Sequence, residues 1–268
     1  MAGVDCKQLQ LANSTDDSRS KLTIYWVNPV SRISAGSESP AQVAHNHWNG
    51  WLTIGGTSGH HHWNTHLGTF NELDGELIAF DGEAYQLRSD GSARPATGNQ
   101  KTPYAVVTFF EPQLTLYVDS PVTRQALHHD IDAQMGSANV FCAIRIDGQF
   151  NHVRTRTVER QAPPFIPFTK AVEQQPLFDF AQAAGTLVGF RSPDFIQGIG
   201  VAGYHEHFIT EQRHGGGHVI DFHLQHGSVQ LGIISRLVVH FPTSEDFKHA
   251  NLSPAFLDRD IHRVEQSS

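Results

Sequence analysis

The chain has 268 residues, of which 39% are hydrophobic and 17% are charged. This composition is enough to bury a sizeable core and argues against wholesale disorder. The formal net charge of −8 argues against a nucleic-acid-binding surface. The longest apolar runs fall far short of the roughly 18 residues needed to cross a bilayer, and the N-terminus lacks a charged and then apolar leader, so we expect a cytoplasmic protein.

The first half of the chain is predicted to form mainly β-strands. β-branched and aromatic residues favour a strand over residues 22–27, and residues 104–110 are a second apolar strand candidate. Residues 76–80 and 84–87 flank a short Gly-containing connection, which predicts a hairpin. Residues 34–66, by contrast, show no clean period of 2 or 3.6.

A helix and a second hairpin are predicted next. Ser120-Pro121 offers a helix N-cap followed by a proline in the first turn. Residues 141–146 and 150–158 flank Asp147-Gly148, and this pattern predicts a hairpin turn. Because side chains alternate along a strand, every second residue of the later strand should share one basic face: His152, Arg154 and Arg156.

The run APPFIP at residues 162–167 interrupts the strand pattern and marks a boundary between two layers or domains. The chain beyond it is predicted to be β-rich, with strands over residues 186–190, 199–208, 218–224 and 229–239. Ser253-Pro254 is predicted to open a last helix.

The chain is rich in histidine, with 18 residues of this type. His60, His61 and His62 lie in a Gly-, Ser- and Trp-rich stretch, and His128 and His129 lie in the predicted helix. We assign these five histidines to the surface or to packing. Histidine tracts can bind metal loosely, but they do not define a site.

A different group of histidines indicates a divalent-metal site. His205 and His207 are two residues apart, so on a strand they point to the same face. His218 is the best candidate for a third ligand and His214 the second. Strands running into a tight turn would put His218 roughly 17 Å from His207. An open loop over residues 211–217 would instead bring His218 diagonally across from His207.

Three imidazoles with an open coordination position favour zinc, although iron, nickel, copper and cobalt bind such sites too. One alternative is a cupin-like oxygenase or isomerase, in which Glu211 would join His205 and His207. Another is a non-catalytic module that binds a structural metal. Structural sites usually have four protein ligands and often use cysteine, whereas Cys6 and Cys142 lie far away in sequence.

Several long runs of the sequence, in order, carry a family resemblance. They are LGTFNELDGELIAFDGEAYQLRSDGSARP (67–95), QKTPYAVVTFFEP (100–112), FCAIRIDG (141–148), TRTVERQAPP (155–164), GTLVGFRSP (185–193) and QGIGVAGYHEHFITEQRHGGGHVIDF (197–222). With these runs, the chain resembles the α-acetolactate decarboxylases nearly continuously from residue 67 to residue 265.

This resemblance implies an enzyme that converts 2-acetolactate to acetoin and carbon dioxide, and that forms homodimers. It also implies a zinc ion that acts as a Lewis acid and chelates the hydroxyl and ketone oxygens of the substrate. The site residues carried over from the family are three zinc ligands, an arginine, two carboxylates and a threonine: His205, His207, His218, Arg156, Glu76, Glu265 and Thr69.

The fold that the resemblance implies is a β-rich, mixed α+β member of the α/β class, with two β-sheet domains and the metal site in the C-terminal half. We predict an N-terminal mixed β-sheet domain over residues 1–160 and a C-terminal zinc-binding domain over residues 161–268. Residues 34–66 are longer and richer in His and Trp than the usual family segment, so they are a candidate insertion.

Overall fold

The computed structural model describes residues 21–26, 52–53, 65–98, 100–164, 168–172, 175–241 and 245–249. The strands are β1 (Lys21–Trp26), β2 (Leu52–Thr53), β3 (Thr65–Thr69), β4 (Glu76–Phe80), β5 (Glu83–Leu87), β6 (Ala93–Pro95), β7 (Lys101–Thr102), β8 (Tyr104–Thr108), β9 (Leu114–Val118), β10 (Val122–Thr123), β11 (Phe141–Arg156), β12 (Leu177–Ser192), β13 (Gly203–Thr210), β14 (Gly216–Ile234) and β15 (Arg236–His240). The α-helices are α1 (Arg124–Met135), α2 (Phe168–Ala171) and α3 (Glu245–His249).

The first sheet has seven strands in the order β15-β1-β8-β3-β4-β5-β6. Its neighbours are antiparallel except β15 and β1, which are parallel. Ile78 and Phe80 of β4 share an apolar cluster with Val188 and Ile209 of the second sheet. Because side chains alternate along β4, Glu76 points to this same face, toward the second sheet.

The second sheet has the order β10-β14-β11-β12-β13, with β9 beside β14. β13 also pairs with the first residues of β14, so the sheet closes on itself. Phe150 packs edge to face on Phe208 and Phe222 inside it, with ring centroids 5.2 and 5.8 Å apart. Leu127 and Ile131 of α1 join this core. The predicted β-rich architecture with two sheets is therefore confirmed.

The strands predicted near residues 22–27 and 104–110 are confirmed as β1 and β8. The first predicted hairpin is confirmed as β4 and β5, joined at Asp81 and Gly82, which both have positive φ angles. The predicted helix exists but begins later than Ser120-Pro121. Val122–Thr123 pairs with β14, and the side chain of Thr123 caps the helix by accepting a hydrogen bond from the amide of Ala126.

The second predicted hairpin is wrong. Phe141–Arg156 forms one strand of 16 residues that pairs with both β12 and β14. Gly148, predicted to lie in a turn, is opposite Gly185 on one side and Gly227 on the other. A Cβ atom at Gly148 would lie 2.5 Å from the carbonyl oxygen of His226. Close approach of the backbones therefore explains this glycine.

The two sheets do not divide at residue 160. β11 precedes that residue and pairs with strands that follow it, while β15 returns from the C-terminal side to pair with β1. The division into two domains at residue 160 stays a prediction of the sequence.

Several parts of the sequence analysis concern residues outside the described ones: Glu265, His60 to His62, the last predicted helix and most of residues 34–66. Within the described part of the chain, no helix is both long and apolar enough to span a membrane.

The glycine row across β12, β11 and β14 gives a stability prediction. We expect Gly148→Ala to lower the free energy of unfolding by about 2–3 kcal/mol, because the added methyl group overpacks the backbone of a neighbouring strand. Urea denaturation of the purified variant measures this change.

Gly82→Ala is the control for that substitution. Its Cβ atom would meet nothing within 4 Å, so only the positive φ of 80° opposes it. We expect a loss of about 1 kcal/mol there. Equal losses for the two variants would contradict the explanation by close approach.

Candidate metal centre

Three buried histidines meet on the face of the second sheet that looks toward the first. His207 of β13 lies directly opposite His218 of β14, and His205 is two residues from His207 on the same face. Ile209, next in this alternation, packs against the first sheet. The ring centroids of the three histidines are 5.0 to 5.4 Å apart. One nitrogen from each lies within 4.8 Å of the others, so the group could hold one metal ion.

The turn between β13 and β14 brings His218 into this group. β13 ends at Thr210, as the open-loop prediction required, and the connection spans residues 211–215. His218 lies directly across from His207 rather than diagonally, because β14 already begins at Gly216. A Cβ atom at Gly216 would lie 2.2 Å from the carbonyl oxygen of Phe208. The glycines here therefore allow close strand pairing, not an open loop.

The hydrogen bonding of His207 suits a metal ligand. Its Nδ1 atom lies 2.8 Å from the carbonyl oxygen of Leu77 in β4, which can only accept, so Nδ1 carries the proton. The other ring nitrogen, Nε2, is therefore unprotonated in the neutral ring. Nε2 is buried without a hydrogen-bond partner among the described residues. Metal-binding histidines usually donate their other ring N–H to a carboxylate, a backbone carbonyl or water, which fixes the orientation of the ring.

All three imidazoles are held in the neutral form. Burial, followed by the charge of Arg156, lowers the pKa of His205 to about 3. Burial is also the main cause that lowers the pKa of His207 and of His218 well below the usual value of 6.5, followed by His205 for the first and Arg156 for the second. Neutral imidazoles can bind a cation at neutral pH without first losing a proton.

Arg156 extends the row of paired residues to a third strand. It lies opposite His218 at the end of β11 and is buried. Its Nη1 atom donates to Oε1 of Gln175 at 2.8 Å. His152 and Arg154, predicted on the same face, lie near solvent and both face Asp179. The arginine predicted from the sequence thus lies beside the histidines, whereas the sequence gave no indication of Gln175, which approaches from a separate segment.

Glu76 reaches the histidines from the first sheet. One of its carboxylate oxygens lies 3.7 Å from Nε2 of His207. Thr69 is opposite Glu76 in the register of β3 and β4, and its hydroxyl donates to the carbonyl of Gly75 at 2.7 Å. That bond fixes the position of Gly75, the residue before Glu76. His66 also lies in β3, but by alternation it points away from the second sheet.

Two residues of the predicted constellation lie elsewhere. Glu211, which the cupin-like alternative needs, is exposed in the turn after β13, and its amide donates to the carbonyl of Ala184. His214, the second choice for a third ligand, is exposed in the same turn. Neither residue belongs to the group that could hold a metal ion.

Sequence reasoning missed the carboxylate between the two histidines of β13. Glu206 is fully buried on the opposite face of the strand, where it meets Arg124 and His128 of α1. Despite burial, which raises it, these two partners hold the pKa of Glu206 at about 2. The available signal was the position itself, since a residue between two inward-pointing histidines must point to the other side of the strand.

Comparisons with known proteins lead to one family. A family model described as alpha-acetolactate decarboxylase matches residues 53–254. The chain is 55% identical over 199 residues to the alpha-acetolactate decarboxylase of Klebsiella aerogenes, covering 74% of this chain and 76% of that protein. It is 45% identical over 201 residues to the Bacillus subtilis (strain 168) protein of that name, covering 75% and 79% respectively.

The fold leads to the same family. The crystal structure of alpha-acetolactate decarboxylase from Bacillus subtilis strain 168 matches with a TM-score of 0.83 at 38% identity, covering 92% of this chain and all of that one. A structure from Staphylococcus aureus, described as similar to alpha-acetolactate decarboxylase, matches with a TM-score of 0.80 at 27% identity. The chain therefore belongs to the alpha-acetolactate decarboxylase family of carboxy-lyases.

Proposed function

We propose that this chain converts 2-acetolactate to acetoin and carbon dioxide at a metal ion held by His205, His207 and His218. The observation that carries the proposal is the row formed by Arg156, His218 and His207 across three adjacent strands. It puts a permanent cation beside three neutral metal-binding nitrogens, and Glu76 faces them from the other sheet. An anionic hydroxy-keto acid has groups that match both parts of such a site.

Zinc is the proposed metal. Three neutral imidazoles are a usual catalytic zinc set that keeps an open coordination position, and the unprotonated, unpartnered Nε2 of His207 fits it. When bound, zinc would supply a Lewis acid that chelates the hydroxyl and ketone oxygens of the substrate and stabilises the negative charge that develops on the ketone oxygen. The same donor set also accepts iron, cobalt, nickel or copper.

Arg156 is proposed to bind and orient the substrate. Loss of carbon dioxide breaks the bond to the carboxylate carbon and leaves the electron pair on the remaining carbon and ketone oxygen. A buried guanidinium offers a planar fork of donors suited to these oxyanions, and it stays charged at any working pH. The bond to Gln175 holds the fork in place. Removing one such donor from an enzyme typically costs a factor of about 10²–10³ in rate.

One proton must still reach carbon to complete acetoin. Glu76 is the proposed relay among the described residues, because its carboxylate lies beside His207 and is buried. Thr69 is proposed to support Glu76 through the turn at Gly75. Glu265, which lies outside the described residues, is proposed as the second carboxylate on the family resemblance alone. The homodimer likewise stays a prediction.

The two alternatives lose support. A cupin-like site needs Glu211, which is exposed in a turn. A structural metal site needs a fourth protein ligand, and Cys142, the cysteine among the described residues, is buried on β11 outside the histidine group. Burial raises the pKa of its thiol to about 12, which opposes the thiolate form that metals bind.

Metal removal tests the proposed reaction. We expect the purified protein to form acetoin from racemic 2-acetolactate, to lose this activity after chelation, and to regain it when zinc is added. The measurement is the amount of acetoin formed per mole of purified protein, with folding monitored by circular dichroism at each step. Zinc-loaded, folded protein that forms no acetoin would refute the proposed function.

Ligand substitution tests which histidines hold the metal. We expect His207→Ala to reduce the metal content from about one ion per chain to near zero, since the two remaining imidazoles make a weak site. His214→Ala is the matched control, because His214 is exposed in the turn between the same two strands. Elemental analysis after dialysis measures the metal. Equal metal contents in the two variants would contradict the assignment of His207 as a ligand.

The role of Arg156 has a matched control on the same strand. We expect Arg156→Gln to lower kcat/KM by on the order of 100-fold, since it removes a donor to the developing charge. Arg154→Gln removes an exposed arginine two residues away, and we expect kcat/KM to change by less than about twofold. Steady-state kinetics of both zinc-loaded variants measure the difference. Similar values for the two variants would remove Arg156 from the mechanism.

A further inference from the structure

Glu206 is a buried charge that the proposed mechanism does not use. It is 0% exposed and lies between His205 and His207, on the face of β13 that looks into the closed second sheet. The next residue on that face, Phe208, belongs to the hydrophobic core. Burying a carboxylate in such a place costs several kcal/mol unless partners compensate it.

Two residues one turn apart on α1 compensate the charge. Nε of Arg124 donates to one carboxylate oxygen of Glu206 at 2.8 Å, and Nε2 of His128 lies 2.9 Å from the other. Arg124 also donates to the carbonyl of Ile220 at 3.3 Å, so it joins α1 to β14 as well as to β13. Both carboxylate oxygens are therefore fixed from one side of one helix.

The same face of α1 also contacts Tyr204, the residue before His205 in β13. The ring of His128 stacks on Tyr204 with 3.6 Å between centroids and 6° between planes. The hydroxyl of Tyr204 donates to Asp132, one turn further along α1, at 2.9 Å. Asp132 in turn accepts from Nε of Arg191 on β12 at 2.7 Å. Arg124, His128 and Asp132 thus form a polar stripe on α1. This stripe binds β13 at Tyr204 and Glu206, on both sides of His205.

The polar stripe largely determines how α1 is oriented on the second sheet. The helix contributes two fully buried apolar residues, Leu127 and Ile131, to the core. Apolar contacts are not directional, whereas the polar stripe fixes both the rotation of the helix and the pleat of β13. Because alternate residues of a strand share one pleat, fixing the back of β13 also fixes the directions of His205 and His207 on its front.

We propose that Glu206 is a positioning residue of the metal centre, clamped by Arg124 and His128 so that β13 presents His205 and His207 in register with His218. This inference rests on the proposed function, because it assumes that these histidines hold a metal ion. Glu206 itself lies on the far side of the strand and does not contact the metal.

A purely structural role predicts a different result from a positioning role. Replacing a buried ion cluster by apolar residues of similar size is often neutral or stabilising for folding. The triple variant Arg124→Met, His128→Phe and Glu206→Met should therefore fold, and the phenyl ring should keep the stack on Tyr204. If the cluster only stabilises the fold, that variant will bind metal normally. If it positions the histidines, metal binding will weaken in a folded protein.

The experiment measures zinc affinity by competition with a chromogenic chelator, and records the visible absorption spectrum of the cobalt-loaded proteins, which reports ligand geometry. We expect the triple variant to bind zinc at least about tenfold more weakly than the unaltered chain, with a changed cobalt spectrum, as for other outer supports of metal ligands. Circular dichroism and thermal melting establish that it is folded. Arg145→Met is the control, since it breaks another charged cluster, with Asp81 and Asp147, on β11.

A folded triple variant with zinc affinity within about twofold of the unaltered chain and the same cobalt spectrum would overturn the positioning role, and so would an equal loss in Arg145→Met. Should the triple variant not fold, Glu206→Gln decides, because glutamine keeps the shape and removes the charge. More than about threefold weaker zinc binding in that variant supports the role, and a smaller change overturns it. An unaltered chain that binds no zinc would instead overturn the proposed metal centre, and this inference with it.

Discussion

The pairing register of three antiparallel strands is the constraint on which the candidate site depends. In an antiparallel pair, directly opposite residues point to the same face. Arg156, His218 and His207 are opposite one another across β11, β14 and β13, so the strand pairing turns their side chains to one face. A slip of one residue in either pair would turn a partner to the other face. The turn at residues 211–215 and the register shift between Arg154 and Thr155 in the β11–β14 pairing therefore matter to the site as much as the side chains do.

Electrostatics explains why this row suits a metal ion and an anionic substrate. Arg156 lies buried beside three imidazoles that burial keeps neutral, and Glu76 supplies a carboxylate from the first sheet. The ring nitrogen Nε2 of His207 has no hydrogen-bond partner among the described residues, so in such a place it loses its hydration without replacement. A metal ion would bind this nitrogen, and an anionic substrate would match the charge of Arg156. The proposed activity thus follows from the neutral nitrogens, the fixed positive charge and the carboxylate that the fold brings together.

The sequence predicted the histidines well because alternation and motif spacing are local properties. His205 and His207 needed only a strand, and the glycine-rich connection already made His218 the best candidate for a third ligand. The family resemblance supplied Arg156 and Glu76. The hairpin predicted around Gly148 was wrong because a glycine required by a neighbouring strand looks the same in sequence as a glycine required by a turn. The sheet assignment of β11 and β15 depends on pairings between distant parts of the chain, which carry no periodic signal.

The two faces of β13 show why the remaining part of the site could not be predicted. On the front, alternate residues are the histidines, and their chemistry makes them visible in the sequence. On the back, Glu206 resembles any strand carboxylate until α1 brings Arg124 and His128 to it, from about 80 positions earlier in the chain. The metal-facing residues and their supports share one pleat, so neither can move alone. In the proposed positioning role, α1 therefore supports the register of the three histidines from the side of β13 that faces away from them.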